Sequence, residues 1–126
     1  MPVPEESIEK GRALRAKLNG GAPQPATPVY ETVPGMNDLI LGVLYGEVWT
    51  REGLDLKSRS MVTIAVLATL GKLPNLRRHV GYALNNGVTP EQIREVCIHC
   101  VMYAGAPAGL GALTEAEEVF KERGVG

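Results

Sequence analysis

His79 is the residue of this chain best suited to chemistry, because it lies on the apolar side of a predicted helix. It is one of only two histidines. The apolar residues around it recur at helical spacing: Leu76, Val80, Ala83 and Leu84. An imidazole on such a face needs a polar partner or a task. Two interpretations follow: a core histidine bonded to a backbone carbonyl, or an acid/base group of an active site.

Glu47 is the acidic counterpart of this histidine. It falls on a second predicted helical stripe, four residues after Val43 and three after Leu44. An inward carboxylate and an inward imidazole in one small helical chain form a candidate acid/base pair. The sequence therefore predicts that Glu47 and His79 form one functional unit.

Cys97 and Cys100 have the spacing of a dithiol redox pair. Their context favours a structural role, because both fall on one apolar helical stripe and lie at least two turns inside a helix that starts near Thr89. A reactive cysteine usually lies at a helix N-terminus, where the dipole lowers the thiol pKa. A zinc site needs about four ligands, and these cysteines with His79 supply only three. No metal is expected.

Composition limits the class of protein. The 126 residues suit one domain, with 44% hydrophobic and 21% charged residues. A net charge of -1 gives no basic field for nucleic acid. The longest apolar run, residues 61–70, contains two threonines and is too short to span a bilayer. The amino end lacks the pattern of a signal peptide, so a cytoplasmic location is expected. Two cysteines are too few for a disulfide scaffold.

The periodicity predicts an all-α fold of about six helices. A proline-rich stretch from Gly20 to Gly35 predicts an extended connector. Thr89, Pro90 and Gln92 give a capping box with proline at the first helical position. The predicted helices cover about residues 4–18, 37–49, 56–70, 74–86 and 90–103, with a last one ending near residue 122.

The third predicted helix, residues 56–70, is apolar nearly all round at its centre. Such a helix is expected to be buried on every side. A chain of this size has little other core with which to cover it. The pattern therefore predicts subunit contacts and a homo-oligomer.

Five runs of this sequence form one pattern across about residues 36–115: Gly46–Arg51, Gly53–Ala65, Leu76–His79, Asn86–Ile93 and Tyr103–Ala108. Their order and spacing together resemble the family of 4-carboxymuconolactone decarboxylases. The resemblance implies an all-helical AhpD-like bundle over residues 36–126, preceded by a helix and arm in residues 1–35, and assembly into a homohexamer.

The same superfamily contains AhpD-like alkylhydroperoxidases, and this chain departs from their pattern. Their histidine precedes a glycine by eight residues, as His79 precedes Gly87 here. Their two cysteines would fall at Lys72 and Asn75, and Ser60 stands where they have a glutamate. The resemblance therefore carries no redox role over to the cysteines of the next helix.

The resemblance implies a decarboxylase that acts on a small lactone carboxylic acid without metal or organic cofactor. Loss of CO2 sends electrons through a double bond into the lactone carbonyl. His79 would donate to the developing oxyanion or deliver a proton, and Glu47 would orient the imidazole or supply the proton itself. Arg59 would anchor a carboxylate through its planar fork. Trp49 and Tyr103 would line the pocket, with core packing as the alternative for both.

Other interpretations stay open at this point. Cys97 and Cys100 would support a thiol-dependent alkylhydroperoxidase or peroxiredoxin-type activity, and a non-catalytic helical oligomer is the third possibility. Arg77 and Arg78 flank His79 and are expected on a solvated face or in a subunit ion pair. The expected partners are a small-molecule substrate and further copies of the chain, with neither nucleic acid nor membrane.

Overall fold

A computed structural model describes residues 2–22 and 27–126, which form seven helices and no strand. The prediction of an all-α fold is confirmed. In chain order the helices are α1 (Glu5–Leu18), α2 (Pro28–Thr32), α3 (Met36–Asp38 continued by Leu39–Val48), α4 (Leu56–Leu70), α5 (Leu73–Asn85), α6 (Pro90–Ala104) and α7 (Ala106–Arg123).

The additional helix is α2, which lies in the stretch predicted to be an extended connector. Pro28 occupies its first turn, where the fixed φ of proline suits a helix and no backbone N–H is needed. The expectation of a wholly extended connector is therefore wrong at α2. Residues 23–26 of the connector lie outside the described residues.

The chain divides into two compact units, one that runs to Leu56 and one from Lys57 to Gly126. The predicted boundary at residue 35 separates the N-terminal arm from the part of the chain that resembles the family. It is not a boundary between compact units, so it stays a prediction. Within the described ranges, no helix combines the length and apolar character needed to cross a membrane.

In the first unit, α1 and α3 touch backbone to backbone. A β-carbon at Gly11 would collide with the carbonyl group of Leu41, and one at Gly46 with that of Ser7. Residues 39–48 have π-helical i→i+5 hydrogen bonds, and the Trp49 amide continues this pattern to the Leu44 carbonyl at 2.9 Å. The glycines therefore fix which side of α3 faces α1.

A buried arginine connects the three helices of the first unit. The guanidinium of Arg15 lies 5.4 Å from the ring centre of Tyr30 on α2 and 5.3 Å from that of Tyr45 on α3. Cations over aromatic faces gain more when they are shielded from water, and Arg15 is almost fully buried. The charge of Arg15 therefore contributes to holding α2 and α3 beside α1.

The second unit has one hydrophobic core, to which α4, α5, α6 and α7 all contribute. Gly105, with φ of 99°, separates α6 from α7 and allows the chain to reverse between them. On the outside, Arg77 of α5 forms ion pairs with three glutamates of α7. The core residues are Ile64, Ala68, Leu76, Val80, Ala83, Val88, Ile93, Cys97, Cys100, Ala112, Ala116, Val119 and Phe120.

Helix α4 begins and ends as predicted, but it is not buried on every side in the single chain. Ser60, Ile64 and Ala68 are buried. On the opposite side Val62, Val66 and Leu70 are about half exposed or more. The helix therefore presents an apolar row to the outside of the protomer.

The predicted capping box is present at the start of α6. The Gln92 amide donates to the Thr89 hydroxyl oxygen, and the Thr89 amide donates to the Gln92 side-chain oxygen, both at 3.0 Å. Two otherwise unpaired N–H groups of the helix end are thus satisfied. Pro90 occupies the first helical position, as predicted.

We expect Thr89→Ala to lower the free energy of unfolding by about 1 kcal/mol, because it removes the acceptor for the Gln92 amide. Urea denaturation followed by circular dichroism measures this change. Thr114→Ala is the matched control, since the Thr114 hydroxyl only donates to the Leu110 carbonyl within α7; its effect should stay within about 0.5 kcal/mol. Equal losses in both variants would contradict a specific role for the cap.

Candidate functional site

His79 lies in the middle of α5, half-buried, with its Nδ1 atom shielded from solvent. Leu76, Val80 and Ala83 hold the adjoining side of the helix in the hydrophobic core. The imidazole also makes an edge-on contact with Tyr82, with the ring centres 5.0 Å apart. The sequence analysis placed His79 within the apolar stripe, whereas the structure places it half-buried beside the core residues of α5. Because the ring is half-buried, neighbouring residues restrain one side of it and the other side is accessible to a ligand.

Glu47 lies on the exposed side of α3, so the expectation of an inward carboxylate is wrong for the protomer. The predicted stripe assumed α-helical spacing, whereas the buried residues recur every four positions in a π-helix: Leu41, Tyr45 and Trp49, with Gly42 and Gly46. Close contact with α1 selects the glycine side, which leaves Val43, Leu44 and Val48 partly exposed beside Glu47. Glu47 belongs to the first unit and His79 to the second.

The start of α4 contains the other polar groups of interest. Arg59 is half-buried, and the next residue, Ser60, is fully buried. The Asn86 side-chain amide donates to the Ser60 hydroxyl oxygen at 3.0 Å. Asn86 follows His79 by seven residues and so lies on the same side of α5 as the histidine, just beyond the last helical turn. This contact was not predicted, because Ser60 on α4 and Asn86 just beyond α5 are 26 residues apart.

Trp49 and Tyr103, the two aromatic candidates for a pocket wall, have opposite environments. Trp49 is 6% exposed and lies 5.8 Å from the Tyr45 ring, so the core-packing interpretation is confirmed for it. Tyr103 is 83% exposed, which contradicts core packing in the protomer. Its ring stacks on His99, because α6 buries the side formed by Ile93, Cys97 and Cys100 and turns these two rings outward.

The arginines next to His79 point away from the apolar side, as expected. Arg78 is exposed. Arg77 forms ion pairs with Glu115, Glu118 and Glu122 of the same chain, and the pairing with Glu122 raises its pKa. Exposed ion pairs contribute little each, but here three carboxylates share one guanidinium. Arg77 therefore connects α5 to α7.

The two cysteines are reduced and buried in the core of the second unit, as predicted. Burial raises the pKa of the Cys97 thiol to about 11, with a smaller contribution from Cys100. The Cys100 sulfur contacts the Ala65 carbonyl oxygen at 3.9 Å. A thiol with such a pKa stays protonated near neutral pH, so the environment opposes nucleophilic chemistry.

Among the described residues, no group of three or more histidine, cysteine or acidic side chains is placed to hold a metal. Lys72 and Asn75, the positions compared above with the cysteines of AhpD-like peroxidases, are exposed residues at the start of α5. The start of α5 therefore carries no pair of thiols.

Comparison with known proteins identifies the family of the chain. Residues 34–118 match the model of the carboxymuconolactone decarboxylase family. A 4-carboxymuconolactone decarboxylase of Acinetobacter baylyi is 51% identical over 128 aligned positions, which cover 96% of this chain and 92% of that protein. A nitrosuccinic acid decarboxylase of Metarhizium robertsii is 36% identical, over 77% of this chain and 66% of the relative. An uncharacterized 15.0 kDa protein of Paracoccus denitrificans is 37% identical over 71% and 69%.

We expect Cys97 to react slowly with iodoacetamide in the folded protein. A pKa of about 11, against an ordinary 9.0, lowers the thiolate fraction roughly 100-fold near neutral pH. Each added pH unit should speed the reaction about tenfold while the fold persists. Mass spectrometry of the Cys100→Ala variant follows Cys97 alone, and the same variant in denaturing urea is the control. Equal rates in the folded and unfolded protein would contradict the buried, protonated thiol.

Proposed function

Because this chain belongs to the carboxymuconolactone decarboxylase family and is a decarboxylase, we propose that its substrate is a small lactone carboxylic acid such as 4-carboxymuconolactone. The observation that carries the proposal is the 51% identity to a 4-carboxymuconolactone decarboxylase across 96% of this chain. The proposal places the enzyme in the breakdown of aromatic compounds. The cytoplasmic location expected from the sequence stays a prediction.

The proposed reaction needs a group that can accept the electron pair left behind when CO2 departs. The bond between the ring carbon and the carboxylate breaks, CO2 leaves, and the electron pair moves through the double bond to the lactone carbonyl oxygen. A proton then adds to carbon and restores the neutral lactone. A hydrogen-bond donor at the carbonyl oxygen and a proton source at carbon are sufficient for this sequence, so the proposal includes neither metal nor organic cofactor.

In this proposal His79 stabilises the developing oxyanion or delivers the proton. Its half-buried position supports the role, because a partly shielded imidazole interacts more strongly with a nearby charge than an exposed one. Glu47 is the second proposed acid/base group, and its exposed position opposes service as a buried acid.

Arg59 is the proposed anchor for the substrate carboxylate. A guanidinium can bind a carboxylate through two parallel hydrogen bonds, and the half-buried position of Arg59 reduces competition from water. Tyr103 is proposed to line the pocket, because its ring is accessible. Trp49 is buried in the packing of the first unit, so the pocket-wall role is not proposed for it.

The second decarboxylase relative supports the same class of chemistry. In nitrosuccinic acid the electron pair left by CO2 can move onto the nitro group at the reacting carbon, and in the lactone acid it moves through the double bond to the lactone carbonyl. Both substrates also carry a second carboxylate for recognition. Direct assays of CO2 release from each acid compare the two substrates, and we expect faster turnover of the lactone acid because the identity to its decarboxylase is higher.

The alternative of a thiol-dependent peroxidase is disfavoured by the site itself. Cys97 and Cys100 are buried, and burial raises the pKa of Cys97 to about 11. A thiol nucleophile needs access to peroxide and a large thiolate fraction. A non-catalytic oligomer would predict no turnover of either acid.

We also propose that the protein assembles through α4, as a homohexamer. Val62, Val66 and Leu70 form an exposed row along one side of that helix. Contiguous apolar surface on a small protein commonly marks a contact with another subunit. A second copy is the proposed partner because the family resemblance described above implies a homohexamer.

We expect His79→Gln to lower kcat for the lactone acid by about two to four powers of ten, the range for a positioned acid/base group. Glu47→Gln should also lower it, and the double variant should be little worse than the poorer single, since residues that act together are not additive. Circular dichroism checks folding. Lys121→Gln, an exposed substitution on α7, is the control, with wild-type turnover expected. A folded His79→Gln protein with wild-type turnover would make the histidine structural.

Light scattering at micromolar concentration tests the assembly, and we expect the mass of six chains. Val62→Lys with Val66→Lys should reduce the mass, because two charges would then lie in the proposed apolar contact. Thr114→Lys, an exposed substitution on α7, is the control and should leave the mass unchanged. A wild-type monomer would overturn the assembly proposal without affecting the decarboxylase assay.

A further inference from the structure

Tyr82 is a buried aromatic residue next to the proposed catalytic histidine. It is 2% exposed and is the only tyrosine, phenylalanine or tryptophan of α5. The core residues of that helix are Leu76, Val80 and Ala83, and Tyr82 is not a member of the core cluster found among the described residues. The helix therefore buries this large ring on a second side, next to the side that enters the core cluster.

The side that carries Tyr82 adjoins His79. The two residues are three positions apart, so their side chains lie on neighbouring turns of the same helix surface. Their ring centres are 5.0 Å apart and their planes meet at 72°. This edge-on arrangement is a favourable geometry for two aromatic rings, because the positive edge of one ring meets the negative face of the other.

The chain also contains a second histidine–tyrosine pair, which serves as an internal comparison. His99 and Tyr103 stack nearly in parallel, at 16°, on the exposed side of α6. Both rings of that pair are exposed, so water and rotamer changes compete with the contact. In the α5 pair the tyrosine is held inside the protein, and only the histidine has an open side.

We infer that Tyr82 is a positioning residue whose buried ring fixes the orientation of the His79 imidazole. The inference rests on the proposed function of His79. A buried ring has few rotamers available, so it limits the rotamers of a side chain that packs against its edge or face. Proton transfer and oxyanion binding both depend strongly on the position of the donor. An enzyme whose imidazole is less firmly oriented therefore turns over substrate more slowly.

Substitution of Tyr82 tests this role through kcat and KM. We expect Tyr82→Leu to lower kcat by roughly 10- to 100-fold with KM changed less than about threefold, because substrate contacts persist while the imidazole loses its fixed orientation. Tyr82→Phe keeps the ring and should stay within about threefold of wild type. Tyr82→Met is the second non-ring variant, with a flexible side chain that fills the space if leucine leaves the protein unfolded.

A double variant separates positioning from general damage. If Tyr82 acts through His79, Tyr82→Leu should cost nothing further in a His79→Gln background. Multiplicative losses in the double variant would overturn the inference. So would a Tyr82→Phe protein as slow as Tyr82→Leu, because the hydroxyl and not the ring would then be responsible.

Proton NMR of the histidine rings gives a readout that needs no turnover. The chain has two histidines, so the His79 resonance is the one absent from His79→Gln. Loss of the neighbouring ring in Tyr82→Leu or Tyr82→Met should move that resonance, while Tyr82→Phe should preserve it, and the His99 resonance should stay fixed in all three. An unmoved His79 resonance overturns the inference. Absence of lactone turnover in the wild type overturns the proposed function instead, and the NMR result still decides the ring contact.

Discussion

The burial of α5 on two adjoining sides is the constraint on which the placement of His79 depends. On one side Leu76, Val80 and Ala83 enter the core of the second unit, and on the next side Tyr82 is buried separately. His79 lies between them, with a shielded Nδ1 and an open edge. A helix fixed on one side only could rotate or shift, whereas burial on two adjoining sides restricts the rotation of the helix that carries the imidazole. This arrangement accounts for a polar residue at the border of an apolar stripe without requiring it to belong to the core.

The surroundings of α5 strengthen that constraint. Arg77 binds three glutamates of α7 from the solvent side, and the Arg123 guanidinium donates to the Asn85 side chain at 2.8 Å near the other end of α5. Asn86, just beyond the helix, donates to the buried Ser60 hydroxyl of α4. Polar contacts therefore hold both ends of the helix whose middle carries the histidine. The first unit uses a different device, in which close glycine contacts and the buried charge of Arg15 hold three helices together.

Local signals in the sequence were sufficient for much of the fold. The capping box at Thr89, the extent of α4 and the burial of Cys97 and Cys100 all follow from helix-end chemistry and a period of 3.6 residues. The buried face of α3 does not follow from these signals. Its π-helical hydrogen bonds change the number of residues per turn, and its glycines bring a side with few aliphatic residues against α1. Glu47 was assigned to the wrong side for this reason. Tyr103 faces outward because other residues of α6 fill the core. Tyr82 was missed since it lies off the apolar stripe, and only the three-residue spacing from His79 hinted at its contact.

The single tryptophan gives the first unit an optical signature of its own. Trp49 is the only tryptophan of the chain, and it is buried beside Tyr45 in that unit. Fluorescence excited at the red edge of aromatic absorption therefore reports the environment of Trp49 in the first unit, whereas far-ultraviolet circular dichroism reports the helices of both units. Coincident denaturation curves from the two signals would mean that the units unfold as one cooperative system, and separated curves would assign a stability to each.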